Sequence, residues 1–139
     1  MMELVKWYEA NHRRRFEWGK WDCILAAADW WQASTGVDPV SDVRGKYSTG
    51  WGATQLRGRM GASIQILITK RIGEPVDLLS VRDGGLILIE HHVRTVLTIV
   101  HGCHLIAPKK TGLVLIPRHN KEARMKEIAA WTLPTTTTN

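Results

Sequence analysis

The stretch Phe16-Glu17-Trp18-Gly19-Lys20-Trp21-Asp22-Cys23 decides the fold, because an apolar, alanine-rich run follows it directly. Asp22 is a good N-cap residue, so we predict a helix from about Cys23 to Ser34, which Gly36 would end. The cysteine then stands in the first turn of this helix, where amide N–H groups lack partners and the helix dipole is positive. Both features favour the thiolate, which is the nucleophilic form of cysteine.

The pattern of apolar residues changes from helical to extended along the chain. Spacings of three to four predict a short helix within residues 2–12 and one or two helices within 53–71. Turn residues then separate short β-prone runs at Leu86–Glu90, Val96–Val100, His104–Ala107 and Leu113–Ile116. A helix at about 120–128 and a last strand around Ala130–Leu133 would follow. Helices before strands indicate an α+β fold, with N-terminal helices packed on a small antiparallel β-sheet.

Composition narrows the class of protein. The chain has 139 residues, of which 44% are hydrophobic and 23% charged, and this is typical of a globular chain rather than a disordered one. We predict a single domain over residues 1–134 and a disordered, Thr-rich tail at 135–139. No apolar run is long enough for a signal peptide or a membrane span, so the sequence predicts synthesis in the cytoplasm and no membrane-spanning segment.

Tryptophan is the dominant aromatic residue, with seven copies against two tyrosines and one phenylalanine. On the predicted helix, Ile24, Ala27, Ala28 and Trp31 share one face, and Asp29 and Trp30 point elsewhere. We expect Trp21, Trp31 and Trp131 to lie in the core. The remaining indoles, Trp7, Trp18, Trp30 and Trp51, are expected to include exposed ones, which are typical of protein interfaces.

Several local motifs resemble the small phage-encoded branch of the NlpC/P60 family, in the papain-like cysteine peptidase superfamily. The likeness runs from about Tyr8 to Leu133 and is more specific in the N-terminal half. It rests on Trp18-Gly19-x-Trp21-Asp22-Cys23, Ala28-Asp29-Trp30, Thr35-Gly36-x-Asp38-Pro39, Arg44-Gly45-x-Tyr47, Gly112-Leu113-Val114 and Ala130-Trp131. The resemblance implies a compact NlpC/P60-like domain, with Cys23 as nucleophile and a histidine as general base.

The sequence departs from this family pattern at three polar positions. The histidine should begin the second strand, at about Arg94 to Val96, and none stands there. The third polar position falls near Ile106, and the usual Gly-Asp before the first strand reads Gly84-Gly85. His92 is the remaining candidate base, whereas its neighbour His91 would face the opposite way in an extended segment. The candidate catalytic residues are therefore Cys23 and His92.

Three hypotheses follow for function. The first is a structural and assembly component of a phage tail tip, located in the virion, with weak or no catalysis and with other tail-tip proteins as partners. The second is an active cysteine peptidase or amidase that cleaves peptidoglycan. The third and weakest is a nucleic-acid-binding module, which the net charge of +6 favours and for which no reader motif is present.

No cofactor and no metal is expected. Cys103, His104 and His101, with the pair His91-His92, could be interpreted as zinc ligands, but they stand too close together in sequence for a usual site. Two cysteines also do not make a disulfide framework.

Overall fold

The computed structural model of the protein describes residues 2–60, 63–91, 94–118 and 125–134, without the side chains of residues 57–60. His92 and the predicted tail at 135–139 lie outside the described residues. In the described part, four helices precede five strands, which confirms the α+β prediction. The elements are α1 (Leu4–Asn11), α2 (Cys23–Thr35), α3 (Gly50–Met60), α4 (Ile64–Ile72), β1 (Leu86–His91), β2 (Arg94–His101), β3 (His104–Lys109), β4 (Gly112–Pro117) and β5 (Met125–Trp131).

The ends of α2 are set by the residues that the sequence indicated. At the N-terminus, the Asp22 carboxylate accepts a hydrogen bond from the Leu25 N–H at 3.0 Å. At the C-terminus, Gly36 adopts a left-handed conformation with φ of 84°, and its N–H donates to the Gln32 carbonyl. The predicted helix is thus confirmed to within one residue.

The five strands form one antiparallel sheet in the order β4-β3-β2-β1-β5. Strands β1 to β4 are a meander, as predicted, and β5 returns to pair with the outer edge of β1. Strand β2 pairs with β3 only over Ile99–His101. The first half of β2 is therefore not paired with β3, although β3 continues to Lys109 and pairs with β4 along its whole length.

The two faces of the sheet are both covered. On one face, Leu88, Leu97 and Ile106 pack against Ala27 and Trp31 of α2. On the other face, Ile87, Ile89 and Leu105 pack with Val81 and the half-buried Leu78, from the segment that precedes β1. Alternation along the strands sends successive side chains to these two layers. None of the helices in the described residues is long and apolar enough to cross a membrane.

The predicted helix at 120–128 is wrong over its described part, residues 125–128. This segment belongs to β5, where Met125 pairs with His91 and Glu127 with Ile89. Met125, Lys126 and Glu127 favour helix locally, so their propensities predict the wrong element here. The free edge of β1 supplies hydrogen bonds and an apolar surface that only an extended segment can use, and pairing overrides propensity.

The tryptophan core is larger than predicted. Trp21, Trp31 and Trp131 are buried as expected, and Trp7 and Trp30 are buried with them. Trp7 stacks on Trp21 with ring centroids 5.9 Å apart. Because α2 is covered on nearly all sides, Trp30 does not point to solvent, and its indole N–H donates to the Gly84 carbonyl at 2.7 Å. Trp51 is the exposed indole.

Candidate functional site

A buried carboxylate fixes the start of α2 and hence the position of Cys23. Asp22 is 1% exposed and accepts hydrogen bonds from the Leu25 N–H, the Gly19 N–H at 3.1 Å and the Tyr47 hydroxyl. Burial and the donated bond to Asp22 raise the pKa of Tyr47, so this hydroxyl stays protonated and remains a donor. The cap therefore ties a loop well downstream of α2 to the first turn of the helix.

Three of the motifs that carried the family resemblance meet at this cap: those that contain Asp22, Asp38 and Tyr47. Gly19 has a φ of 79°, and its carbonyl accepts a hydrogen bond from the Gly45 N–H at 3.2 Å. Arg44 forms two hydrogen bonds to the Asp38 carboxylate, at 2.6 and 3.2 Å, and these hold the loop closed. Residues that are distant in sequence thus form one rigid support beneath Cys23.

Cys23 lines the same cleft as Arg94 and Thr95, from the part of β2 that does not pair with β3. Burial raises the pKa of Cys23 from 9.0 to about 11, and the negative charge of Asp22 adds to this effect. The backbone N–H groups of Leu97, Ile24 and Cys23 itself lower the pKa, but they do not offset burial. The thiol is therefore protonated at neutral pH, despite its place at a helix start.

A cleft of about 570 Å³ opens beside the sulfur. Its walls come from the start of α2, from α3 and α4, and from the first residues of β2. Most of the surface is apolar, including the side chains of Ile64, Leu67 and Ile68 on α4. The polar and aromatic groups of the lining are Trp18, Asp22, Cys23, Tyr47, Trp51, Thr54, Arg71, Arg94 and Thr95.

No histidine is among the described residues that line this cleft. Within residues 94–96, where the resemblance places the base, Thr95 lies on the same face of β2 as Leu97 and lines the cleft with Cys23. His91 pairs with Arg94 at the end of β1, and alternation puts it on the face of the sheet away from α2. His101 lies at the other end of β2, in the hairpin that leads to β3. The candidate base His92 lies outside the described residues.

The other two departures from the family pattern have a structural reason. Ile106 is 2% exposed and packs in the core beneath α2, where a polar group would be desolvated. A Cβ at Gly85 would lie 2.4 Å from Val81 Cγ2 and 2.8 Å from the Trp131 carbonyl oxygen. An aspartate therefore does not fit at position 85 without displacing β5.

The second cysteine, Cys103, does not line the cleft. Cys103 is exposed, lies in the β2–β3 hairpin, and has its sulfur 3.5 Å from His104 Nδ1. Both cysteines are free thiols. Within the described ranges, no three His, Cys, Asp or Glu side chains are arranged to hold a metal ion.

Two features of the site were missed by sequence reasoning. The Tyr47–Asp22 bond joins residues that no local pattern connects, although both stand in motifs that the resemblance singled out. The second is Arg71, which forms a bidentate pair with Asp42 at 2.5 and 2.9 Å and donates to the Pro39 carbonyl. The Arg71 guanidinium is therefore paired, and it holds the loop around Val40 in place.

Comparison with known proteins gives one match. A protein-family model described as "Domain of unknown function (DUF6950)" matches residues 2–126, which include Cys23, the whole cleft lining and all elements up to the start of β5. A search of curated proteins found no match.

Proposed function

The chain belongs to the DUF6950 family, and from the geometry of its cleft we propose that it is a structural component of a phage tail tip, built on an NlpC/P60-like scaffold with weak or no catalysis. The observation that carries this proposal is the composition of the cleft around Cys23. A nucleophilic cysteine needs a base within hydrogen-bond reach of its sulfur, and here the expected position holds Thr95.

The state of the thiol supports the same proposal. With a pKa of about 11, only about one sulfur in ten thousand is a thiolate at pH 7. Active cysteine nucleophiles have a pKa lowered by a neighbouring cation or imidazolium. In the described part of the chain, the charge that acts on Cys23 is the carboxylate of Asp22, which disfavours the thiolate.

The outer wall of the cleft is suited to a protein partner. Trp51 is 71% exposed at the start of α3, directly beside the cleft. Tryptophan is strongly enriched among the residues that dominate binding energy at interfaces. We propose that a neighbouring tail-tip protein covers this indole and the apolar cleft behind it.

We expect the chain to be present in tail particles, and we expect the Cys23→Ala variant to restore particle production in a deletion strain as well as wild type does. The Trp51→Ala variant should instead reduce its incorporation, because it removes the interface anchor without changing the core. Mass spectrometry of purified particles measures both particle production and the amount of each variant that is incorporated. A Cys23→Ala chain that is incorporated but gives non-infectious particles would contradict a purely structural role.

A second candidate function is an active peptidase or amidase on peptidoglycan, with Cys23 as nucleophile and His92 as base. One observation favours it: the backbone N–H groups of Leu97 and Ile24 lower the pKa of the Cys23 thiol, as donors beside a thiolate would. Zymography on purified cell wall separates the two functions. We expect wild type and Cys23→Ala both to leave the wall intact, whereas clearing by wild type that Cys23→Ala and His92→Ala both lose would establish the enzyme.

A further inference from the structure

The fold brings two basic segments together at one end of the sheet. Arg13, Arg14 and Arg15 lie in the loop between α1 and α2, and Lys109 and Lys110 lie at the β3–β4 turn. Two backbone hydrogen bonds, one on each side of the triplet, join these segments. The Leu113 N–H donates to the His12 carbonyl at 2.8 Å, and the Phe16 N–H donates to the Lys109 carbonyl at 3.0 Å. We refer to the five cations as the basic patch.

Close packing fixes the backbone of the patch. Gly112 has a φ of 130°, and a Cβ there would lie 2.2 Å from the His12 carbonyl oxygen, so the loop and the turn are in direct contact. The Arg14 guanidinium lies over the Trp21 ring, 4.0 Å from its centroid. The five cations therefore lie on backbone segments whose positions are fixed by packing and hydrogen bonds.

The charge of the patch is not neutralised within the described residues. All five side chains belong to exposed residues, and none has a carboxylate within 4.0 Å, whereas Lys20, Arg44, Arg71 and Arg118 are all paired. Like charges held this close repel one another and attract a polyanion. The patch therefore accounts for a large share of the net charge of +6.

We propose that the basic patch binds the phosphodiester backbone of nucleic acid without sequence preference. Arg and Lys are the side chains that contact phosphate oxygens, and such contacts fix position without specifying bases. A protein partner would be expected to find an apolar anchor, since interface cores are depleted of lysine and dominated by buried aromatic or apolar groups. Among the described residues, the large exposed apolar side chains lie outside both basic segments.

The patch shares no residue with the cysteine cleft. Its binding to nucleic acid is therefore independent of whether the cleft is structural or catalytic. A Cys23→Ser variant should bind a DNA duplex as wild type does, and this separates the two sites experimentally.

The test is the salt dependence of binding to a mixed-sequence DNA duplex. Five phosphate contacts predict a slope of about −4.5 when log K for DNA binding is plotted against the logarithm of the salt concentration. With this slope, the affinity falls roughly 500-fold between about 50 and 200 mM salt. The variant Arg13→Ala/Arg15→Ala/Lys109→Ala/Lys110→Ala keeps Arg14 on Trp21 and should reduce the slope to about −1.

The matched control removes the same charge from exposed cations elsewhere: Lys46→Ala/Lys70→Ala/Arg82→Ala/Lys126→Ala. We expect it to keep the wild-type slope. Equal losses in both variants, a wild-type slope near zero, or equally tight binding of polyglutamate would each overturn the proposal. Thermal unfolding checks that both variants fold. If the patch variant does not, the double variant Arg13→Ala/Lys110→Ala should reduce the slope by about 2.

Discussion

Replacing Gly19 with alanine is expected to lower the free energy of unfolding by about 4 kcal/mol or more, which is exceptional for a single methyl group. The added Cβ would lie 1.8 Å from the Tyr47 carbonyl oxygen and 2.9 Å from its carbonyl carbon. Both are backbone atoms, so no side-chain rotation relieves the clash. Urea unfolding followed by circular dichroism measures the loss.

Gly45→Ala is the matched control for this prediction. Gly45 has a φ of 72°, close to the 79° of Gly19, and a Cβ there would have no heavy atom within 4 Å. Both variants therefore carry the left-handed penalty of about 1–2 kcal/mol, and only Gly19→Ala adds the clash. Equal losses in the two variants would contradict the close approach of the Gly19 and Tyr47 segments.

The same substitution should disturb the cleft as well as the stability. The Gly19 N–H and the Tyr47 hydroxyl both donate to Asp22, so moving the two segments apart removes two of the donors around a buried carboxylate. An unpaired buried charge is strongly unfavourable, and the first turn of α2 would shift or fray. The position of the Cys23 sulfur therefore depends on a glycine in the preceding loop.

The sequence was sufficient for the elements whose signals are local. Asp22 and Gly36 predicted both ends of α2, and turn residues between β-prone runs predicted β1 to β4. The helix predicted at residues 125–128 is wrong because Met125, Lys126 and Glu127 carry a helical propensity, which the free edge of β1 overrides. Of the four indoles expected to include exposed ones, Trp51 is exposed, whereas Trp30 is buried because α2 is covered on nearly all sides.

The sequence predicted that Cys23 begins a helix, but not what surrounds its sulfur. Cys23 stood out because a helix start and a motif of the family resemblance coincide there. The environment of the sulfur depends on contacts between distant segments: Leu97 from β2, Tyr47 from a loop, and the separation of β2 from β3 before Ile99. The basic patch was missed for the same reason, because the two hydrogen bonds that join its segments link residues far apart in the sequence.

The second large effect concerns the reactivity of Cys23. A thiol with a pKa of about 11 should react with iodoacetamide far more slowly at pH 7 than an ordinary thiol with a pKa of about 8.5, because the thiolate fraction is a few hundred times smaller.

The raised pKa of Cys23 also affects the stability of the protein. Because the pKa of Cys23 is raised on folding, the buried thiol stabilises the protein fully below about pH 9. This stabilisation is lost as the pH rises towards about 11. Wild type should therefore lose stability relative to Cys23→Ser only in that alkaline range.

The most direct measurement is the pH profile of Cys23 alkylation in a Cys103→Ser background, followed by mass spectrometry. Cys23 is then the only thiol, since the chain has two cysteines. We predict that the alkylation rate increases with pH and reaches half of its maximum at about pH 11. Circular dichroism checks that the fold persists over this range. A midpoint at or below about 8.5 would contradict the central claim, which is that Cys23 is protonated and has no histidine beside it among the described residues of the cleft. A midpoint that rises from such a low value on replacing His92 with alanine would identify the base of an active enzyme.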